Sequence, residues 1–164
     1  MAKGTIQLTT KNLILRPFKE EDILSSHHNW LSRDEVFVSM DSNPSKSLEE
    51  SITYVKSKFP YYASRYFYDW CLIEKDTNEC IGEINGVRTK DKKGISIGYC
   101  LSPDDWGKGY MKEALLSILS YFFESGYQYI EAECREENIS SIYLLKSLNF
   151  ENRTETIYRL NKNY

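Results

Sequence analysis

The chain has 164 residues, a length that suits one compact domain, and we expect a single domain over residues 1–164. Its 21 Lys and Arg against 24 Asp and Glu give a net charge of −3, which argues against a general nucleic-acid-binding protein. The sequence has neither the run of roughly 20 apolar residues that crosses a bilayer nor the apolar segment of a signal peptide. We therefore expect a cytoplasmic protein, monomeric or homodimeric, without a nucleic-acid or membrane partner.

Cysteine and histidine are too sparse and too scattered to suggest a metal site. The only histidines are His27 and His28. The four cysteines form no Cys-x-x-Cys motif and all fall within predicted strands, at Cys71, Cys80, Cys100 and Cys134. A thiol in a strand usually behaves as a small buried hydrophobe. We expect neither a metal site nor a disulfide framework.

The first half of the chain predicts a strand, two helices and a meander of three strands. Residues 6–18 form the first strand, and helical and turn signals fill residues 20–40. A capping box at Ser47-x-x-Glu50 begins the second helix, which Pro60 is expected to end. The meander occupies residues 66–74, 80–87 and 95–101. Its second turn, at residues 91–94, contains Gly94, which is able to take a positive φ.

Residues 95–123 read as a strand, a glycine-bearing loop and a helix. Pro103 stops the strand, and apolar positions at helical spacing begin at Met111. Between them lie Gly107 and Gly109. A helix start after such a loop presents unpaired backbone N–H groups at the positive end of the helix dipole. The segment therefore indicates a phosphate site, with a plain tight turn as the alternative.

Two familiar glycine-loop motifs do not fit this segment. A dinucleotide fingerprint needs a third glycine where the chain has Lys112, and the Gly-Lys-Ser/Thr of a nucleoside-triphosphate loop is absent.

The chain continues with a strand at residues 129–134, a helix that starts at Asn138 and further strand residues at 150 and 154–160. This order of elements predicts an α/β fold with a mixed sheet flanked by helices.

At this point the sequence resembles a known family. The runs IGYCL at 97–101 and WGKGYMKEA at 106–114 are similar to the acetyl-CoA-binding segment of the GNAT N-acetyltransferase superfamily. More narrowly, they resemble the branch that contains the ribosomal-protein alanine N-acetyltransferases. Further matches follow in the family's order and cover nearly the whole chain: LILRP at 13–17, IGEI at 81–84, ENISS at 137–141 and LNF at 148–150. The resemblance implies a mostly antiparallel sheet of six or seven strands, with strands four and five (residues 95–101 and 129–134) splayed apart.

The sequence departs from the family pattern at three places. The pyrophosphate loop is usually Arg/Gln-x-x-Gly-x-Gly/Ala, and its three named positions here are Trp106, Gly109 and Met111. Met111 thus puts a long side chain where a small one is usual. Asn149 replaces the glycine before the late phenylalanine, a mild change because Asn tolerates left-handed backbone geometry.

The resemblance implies acetyl-CoA as co-substrate and no metal. Backbone groups of residues 99–101 are expected to pair with the pantetheine arm, and amides of residues 107–111 to hold the pyrophosphate. Asn138 is either an ordinary helix N-cap or a further hydrogen-bonding group near the pantetheine. The full set of expected cofactor-binding residues is Tyr99, Cys100, Leu101, Trp106, Gly107, Lys108, Gly109, Tyr110, Met111, Asn138 and Ser141.

Ser141 is the residue that the resemblance places near the thioester sulfur, where it would protonate or solvate the leaving thiolate. Its plain alternative is a helix-surface serine. Many family members use a tyrosine seven residues after the asparagine, but that position here is Leu145, and Tyr143 is expected to point elsewhere around the helix.

The general base is left open by the sequence. Glu83 is either an exposed strand glutamate, the more common case, or a carboxylate with a raised pKa that deprotonates the amine. Tyr99 and Glu133 are weaker candidates, and a water chain is another.

The expected function is transfer of an acetyl group from acetyl-CoA to a primary amine, for example a protein N-terminus. The alternatives are a small-molecule acetyltransferase for polyamines, aminoglycosides or amino acids, and a CoA-binding module without turnover. Acceptor choice is assigned to the loops at residues 27–46 and 60–70. Their aromatic side chains suggest either a stacked wall or core packing, at Tyr61, Tyr62, Tyr66, Tyr68 and Trp70.

Overall fold

The computed structural model describes residues 1–163, which build one eight-stranded sheet in the order β1-β2-β3-β4-β5-β6-β8-β7. Neighbouring strands are antiparallel except β5 and β6, which run parallel. The strands are β1 (Leu8–Thr9), β2 (Leu13–Arg16), β3 (Tyr68–Glu74), β4 (Cys80–Arg88), β5 (Gly94–Leu101), β6 (Tyr129–Glu133), β7 (Glu151–Asn152) and β8 (Ile157–Asn161). None of the helices in residues 1–163 is long and apolar enough to span a bilayer.

Helices cover both faces of this sheet. On one face lie α1 (Ile23–Ser26), the π-helical turn His27–Leu31, α2 (Asp34–Phe37) and α3 (Leu48–Lys56); on the other lie α4 (Tyr110–Glu124) and α5 (Ile139–Ser147). Short 3-10 helices occur at Glu20–Asp22, Phe59–Ala63 and Pro103–Asp105. The predicted mixed, mostly antiparallel sheet flanked by helices is therefore confirmed. The strand number is eight rather than six or seven, because residues 6–18 fold back as two short strands and the C-terminal segment also forms two.

Two apolar clusters, one on each face, hold the layers together. The face under α4 and α5 buries Trp70, Ile84 and Phe122, and the face under α1–α3 buries Trp30 and Val55. Side chains in a strand alternate between the two faces, and β3 is buried on both, so its successive residues enter the two clusters in turn. Complete burial of a large apolar side chain contributes about 1.5–3 kcal/mol relative to exposure. The central strands are thereby fixed in register.

Two local predictions are corrected by the structure. α3 ends at Lys56 rather than at Pro60, which instead lies in the following 3-10 helix, near the start of a helical segment where its missing N–H costs little. In the turn before β5 the positive φ belongs to Lys92, at 61°, and not to Gly94. Gly94 is needed for space, because a Cβ there would lie 2.2 Å from the ring of Tyr129.

The predicted splay of strands four and five, here β5 and β6, is confirmed. The two strands pair in register from Gly94 and Tyr129 as far as Ile97 and Ala132. Beyond Ile97, β5 continues to pair with β4, whereas the chain leaving β6 turns toward the C-terminal strands, where the Cys134 N–H donates to the Thr156 carbonyl at 2.8 Å. A gap in the sheet therefore opens beside residues 98–101.

Candidate active site

Backbone groups of β5 line the gap in an alternating manner. The Ser102 N–H donates to the Ile81 carbonyl on the β4 side at 2.7 Å, so Cys100 and Gly98 also direct their N–H and C=O toward β4. Tyr99 and Leu101 direct theirs into the gap. The Leu101 carbonyl already accepts a bond from the Trp106 indole N–H at 2.9 Å. Tyr99 therefore offers both of its backbone groups to a ligand, and Leu101 its N–H, while those of Cys100 are turned away.

The loop after β5 requires its glycines for backbone conformation. Gly107 and Gly109 have φ of 76° and 79°, the left-handed region, and nothing lies within 4 Å of where a Cβ would be placed on either. Gly109 is the N-cap of the 15-residue helix α4. No acceptor within residues 1–163 contacts the backbone N–H groups of residues 107–112. They lie at the positive end of a long helix and fit a diphosphate.

The unusual side chain in this loop does not obstruct it. Met111 is buried in the core beneath α4, so its length is absorbed by apolar packing and not by the space over the amides. Trp106 is half-exposed and is held to β5 by its indole bond. Lys108 lies over the Tyr110 ring, and its ammonium pairs with the Asp105 carboxylate at 2.9 Å.

Sequence reasoning missed the residue that anchors the start of α4. Glu113 accepts hydrogen bonds from the Thr10 hydroxyl at 2.6 Å, and from the backbone N–H and side-chain amide of Asn12 at 3.0 and 2.8 Å. These groups belong to the turn between β1 and β2. A glutamate in a first helical turn is common, so only its distant partners reveal the role.

Two hydroxyl groups meet across the gap. The phenol of Tyr99 on β5 lies 2.5 Å from the hydroxyl of Ser141 on α5. Asn138 is the N-cap of α5, its side-chain oxygen accepting the Ser141 N–H at 3.2 Å, so the ordinary capping interpretation holds for this residue. Burial raises the pKa of Tyr99 to about 12 against the opposing effect of the Ser141 bond, and the phenol therefore stays protonated at neutral pH. The pair is a chain of proton donors.

The helix residues near Ser141 behave as the sequence indicates. Leu145, in the position where many family members have a tyrosine, is completely buried. Tyr143 is 74% exposed and points to solvent, away from the gap. Glu133, at the end of β6, is exposed.

Glu83 is buried, and the expectation of an exposed strand glutamate is wrong. It is 3% exposed, and its carboxylate accepts from the Lys58 ammonium at 2.5 Å and from the Tyr54 hydroxyl at 2.6 Å. Its strand position is directly opposite Cys100, so its side chain lies on the α1–α3 face. The sheet therefore separates Glu83 from the Tyr99–Ser141 pair, because successive residues on β5 point to opposite faces.

Most of the aromatic residues at 60–70 are structural. Tyr68 and Trp70 stack in the core with ring centroids 6.0 Å apart. The Tyr62 hydroxyl donates to the Asp69 carbonyl at 3.1 Å. Of the five aromatic residues singled out in the sequence, only Tyr61 and Tyr66 are exposed.

Comparison with known proteins identifies the family. Residues 12–151 match the model of the acetyltransferase (GNAT) domain. The chain belongs to the GNAT acetyltransferase family. The predicted family and enzyme class are thereby confirmed. Within residues 1–163 there is no cluster of three or more His, Cys, Asp or Glu side chains able to hold a metal ion.

Relatives and solved structures agree with this assignment. The chain is 31% identical to the uncharacterized N-acetyltransferase p20 of Bacillus licheniformis over 146 residues, 88% of this chain and 82% of p20. It is 28% identical to the uncharacterized N-acetyltransferase YoaA of Bacillus subtilis over 146 residues, 88% of this chain and 82% of YoaA. The fold is shared with the ribosomal L7/L12 α-N-protein acetyltransferase RimL in complex with coenzyme A, at TM-score 0.80, 19% identity and coverage of 95% and 98%. It is also shared with the ribosomal-protein-S5-alanine acetyltransferase of Vibrio fischeri, at TM-score 0.80, 14% identity and coverage of 95% and 96%.

Proposed function

We propose that this chain transfers an acetyl group from acetyl-CoA to a primary amine. The observation that carries the proposal is an alignment of three features along one path. Unpaired amides of residues 107–112 lie at one end, the open backbone of Tyr99 lies in the gap, and the Tyr99–Ser141 hydroxyl pair closes the path. A diphosphate, an amide-bearing arm and a thioester occur in that order in acetyl-CoA.

The first contribution of the protein is positioning. The amides of the loop hold the diphosphate, and the Tyr99 N–H and C=O pair with the arm, so that the thioester carbonyl is fixed for attack by the amine. Well-oriented reactants gain about 7–11 kcal/mol over free ones. The rigid sheet on the β4 side and the helix cap at Asn138 keep these groups in place.

The second contribution is proton transfer. The departing thiolate needs a proton, and the Ser141 hydroxyl supplies it, replenished by the Tyr99 phenol at 2.5 Å. For the proton lost by the amine we retain Glu83 as the acceptor. Lys58 and Tyr54 already bond to its carboxylate, so the proton reaches it through the Tyr54 hydroxyl or through water on the α1–α3 face.

We propose a protein N-terminus as the acceptor because ribosomal-protein acetyltransferases share this fold. A small amine is the second candidate, and it is favoured by the size of a cavity of about 470 Å³ on the α1–α3 face. An unbiased screen that follows free thiol release with peptides, polyamines and aminoglycosides separates the two.

The same screen tests for turnover. Replacing Ser141 by Ala should reduce thiol release, while the Ser140→Ala control, one residue earlier on the same helix, should not. Tight CoA binding by calorimetry with no release across the panel would instead identify a CoA-binding module.

A further inference from the structure

Three residues form a row across the sheet that leads to the gap. Asp69 on β3 pairs in register with Asn85 on β4, and Asn85 pairs with Gly98 on β5. Directly paired residues share a face, which here is the α1–α3 face. The Asn85 amide oxygen lies 3.0 Å from the place where a Cβ on Gly98 would be. Gly98 is the first residue past the last pair between β5 and β6, so the row ends where the gap begins.

A cavity lies over the outer part of this row. Its volume is about 470 Å³, and its walls include Phe67, Asp69, Asn85 and Val87. Val87 is 67% exposed, so the cavity is accessible from solvent. Arg88 also lines it, with its guanidinium 3.8 Å from the centre of the Tyr66 ring. The acidic Asp69 and the ring of Phe67 suit an organic cation, which would share the cavity with the Arg88 guanidinium on Tyr66.

Asp69, the one acidic residue that lines the cavity, belongs to a buried cluster with more carboxylates than cations. The Lys58 ammonium lies 2.5 Å from an oxygen of Asp69 and 2.5 Å from an oxygen of Glu83, and within residues 1–163 it is the only cation in salt-bridge distance of either. Asp69 is 5% exposed, and its second carboxylate oxygen is buried without a donor in the part of the chain that the structure describes. A buried carboxylate without a partner is costly.

This imbalance can be relieved by a proton or by a cation. Burial, followed by the charge of Glu83, raises the pKa of Asp69 well above its ordinary value against the lowering effect of Lys58. A cation that reaches the second Asp69 oxygen would balance the charge that Lys58 alone leaves uncompensated.

We propose that Asp69 and Asn85 form a subsite for a primary ammonium group of the acceptor, separate from the amine that is acetylated. The inference rests on the proposed function. Neighbouring strands lie about 4.8 Å apart, so Asp69 is roughly 10 Å from Gly98, whereas attack requires about 3–3.5 Å. The ammonium on Asp69 is therefore a second one. The acceptor class is an amine that carries another amino group roughly 5–10 Å away, as in a diamine or a peptide with lysine next to its N-terminus.

The kinetic test compares amines of equal length. Diamines from 1,4-diaminobutane to 1,8-diaminooctane are compared with the n-alkylamines, and the dipeptide amide Ala-Lys with Ala-Gln, which distinguishes the two sources of the second ammonium. We expect at least a roughly 10-fold higher kcat/KM for the best doubly charged acceptor, mainly through KM, as a charge-assisted bond predicts. Equal values for the charged and neutral partners in both series would overturn the subsite.

Variants connect this preference to the cavity. Asp69→Asn should abolish the preference, so that its kcat/KM for the diamine falls to that for the alkylamine of equal length. Asp76→Asn, at an exposed aspartate just beyond the far end of β3, should retain the preference. If Asp69→Asn unfolds in a thermal melt, Val87→Phe takes its place, because it fills the cavity from an exposed position and leaves the charges intact. A preference that survives Val87→Phe contradicts the proposal.

A binding measurement tests the subsite without turnover. Addition of 1,4-diaminobutane dihydrochloride to the 15N-labelled protein should shift the amide signals of Asp69, Asn85 and Gly86, and 1,4-butanediol should not. No shift, or equal shifts with both compounds, would refute the inference. Calorimetry with CoA on the same sample keeps the two failures apart. If the protein binds CoA and acetylates monoamines but shows no diamine-induced shifts, the subsite is refuted and the proposed function stands. If the protein does not bind CoA, the proposed function is refuted, and the diamine-induced shifts alone decide whether the subsite exists.

Discussion

At the scale of single residues, the account depends on two polar arrangements on opposite faces of the sheet, one half-buried and one buried. Tyr99 and Ser141 share a 2.5 Å hydrogen bond on the α4–α5 face. Lys58 joins Asp69 and Glu83 on the α1–α3 face. We propose that the first supplies a proton to the leaving thiolate. In the second, the buried charges are shielded from water and are stabilised by pairing with one another. Each arrangement makes its own prediction.

Removal of either hydroxyl should slow the chemical step. We expect Tyr99→Phe and Ser141→Ala each to lower kcat by about 10²-fold, with little change in CoA affinity, because a positioned general acid contributes about 10²–10⁴-fold. The double variant should be little worse than either single one. Because Tyr99 donates only below its pKa of about 12, the wild-type kcat should not fall on its account as pH rises toward that value. Full activity in both single variants would contradict the assignment.

Removal of the buried lysine should destabilise the fold. Lys58→Met leaves two carboxylates without a cation, and we expect a loss of about 3–5 kcal/mol in the free energy of unfolding, measured by urea denaturation at pH 7. The loss should shrink at low pH, because the Asp69 pKa is already raised and protonation removes the unpaired charge. Lys56→Met is the matched control, since Lys56 pairs with Glu20 at the exposed surface and should cost less than about 1 kcal/mol. Equal losses of unfolding free energy in the two variants would show that the buried ion pairs of Lys58 contribute no more than the surface pair of Lys56.

At the scale of elements, helix α4 carries two separate functions at its first turn. Its N-terminal amides face the proposed diphosphate site, and its Glu113 is bonded to the β1–β2 turn. The helix ends at Glu124, and Gly126, just beyond its C-cap Ser125, has a φ of 98° and open space around it, as Gly109 does. This similarity between its two ends provides an internal control.

Alanine at the two ends should separate stability from binding. Gly109→Ala and Gly126→Ala both force a side chain into left-handed backbone geometry, and each should lower the free energy of unfolding by about 1–2 kcal/mol. Only Gly109→Ala should weaken CoA binding in calorimetry, by roughly 10-fold or more, because a displaced amide loses its bond to a charged oxygen. The idea is falsified if both variants bind CoA as the wild type does.

The Glu113 contacts predict a pH-dependent contribution. Burial opposes ionisation of this carboxylate, but the bonds from Thr10 and Asn12 outweigh it and lower its pKa. Its stabilisation is therefore present above the unfolded-state pKa and is lost as pH falls through the folded-state value. Glu113→Gln should cost about 1 kcal/mol at pH 7 and nothing measurable in acid, by urea denaturation. Glu124→Gln is the control, since Glu124 accepts only a local bond from Ser120.

At the scale of the whole molecule, patterns within one segment were predictable from sequence and contacts between distant segments were not. The loop at Gly107 and Gly109, the N-cap at Asn138 and the left-handed Asn149, with φ of 65°, all follow from local chemistry. The burial of Glu83 did not, because its partner Lys58 lies 25 residues earlier, after a helix that folds over the sheet. The alternation of apolar and polar residues in β4 predicts a strand with one polar side. It does not show whether another part of the chain will cover that side.

The direction in which each backbone group of β5 points could likewise be recognised only in the folded structure. Tyr99 and Cys100 are adjacent in sequence, yet the first points a backbone donor and acceptor into the gap and the second toward β4. Register fixes this difference, and register depends on pairing with a strand about 15 residues away.

The most direct test is a crystal structure of the protein with coenzyme A. We predict diphosphate oxygens about 3 Å from the amides of residues 107–111, an arm paired with the Tyr99 backbone between β5 and β6, and a thiol near the Ser141 hydroxyl. Coenzyme A bound elsewhere, with the loop after Pro103 vacant or the Tyr99 backbone bonded to β6, would contradict the account.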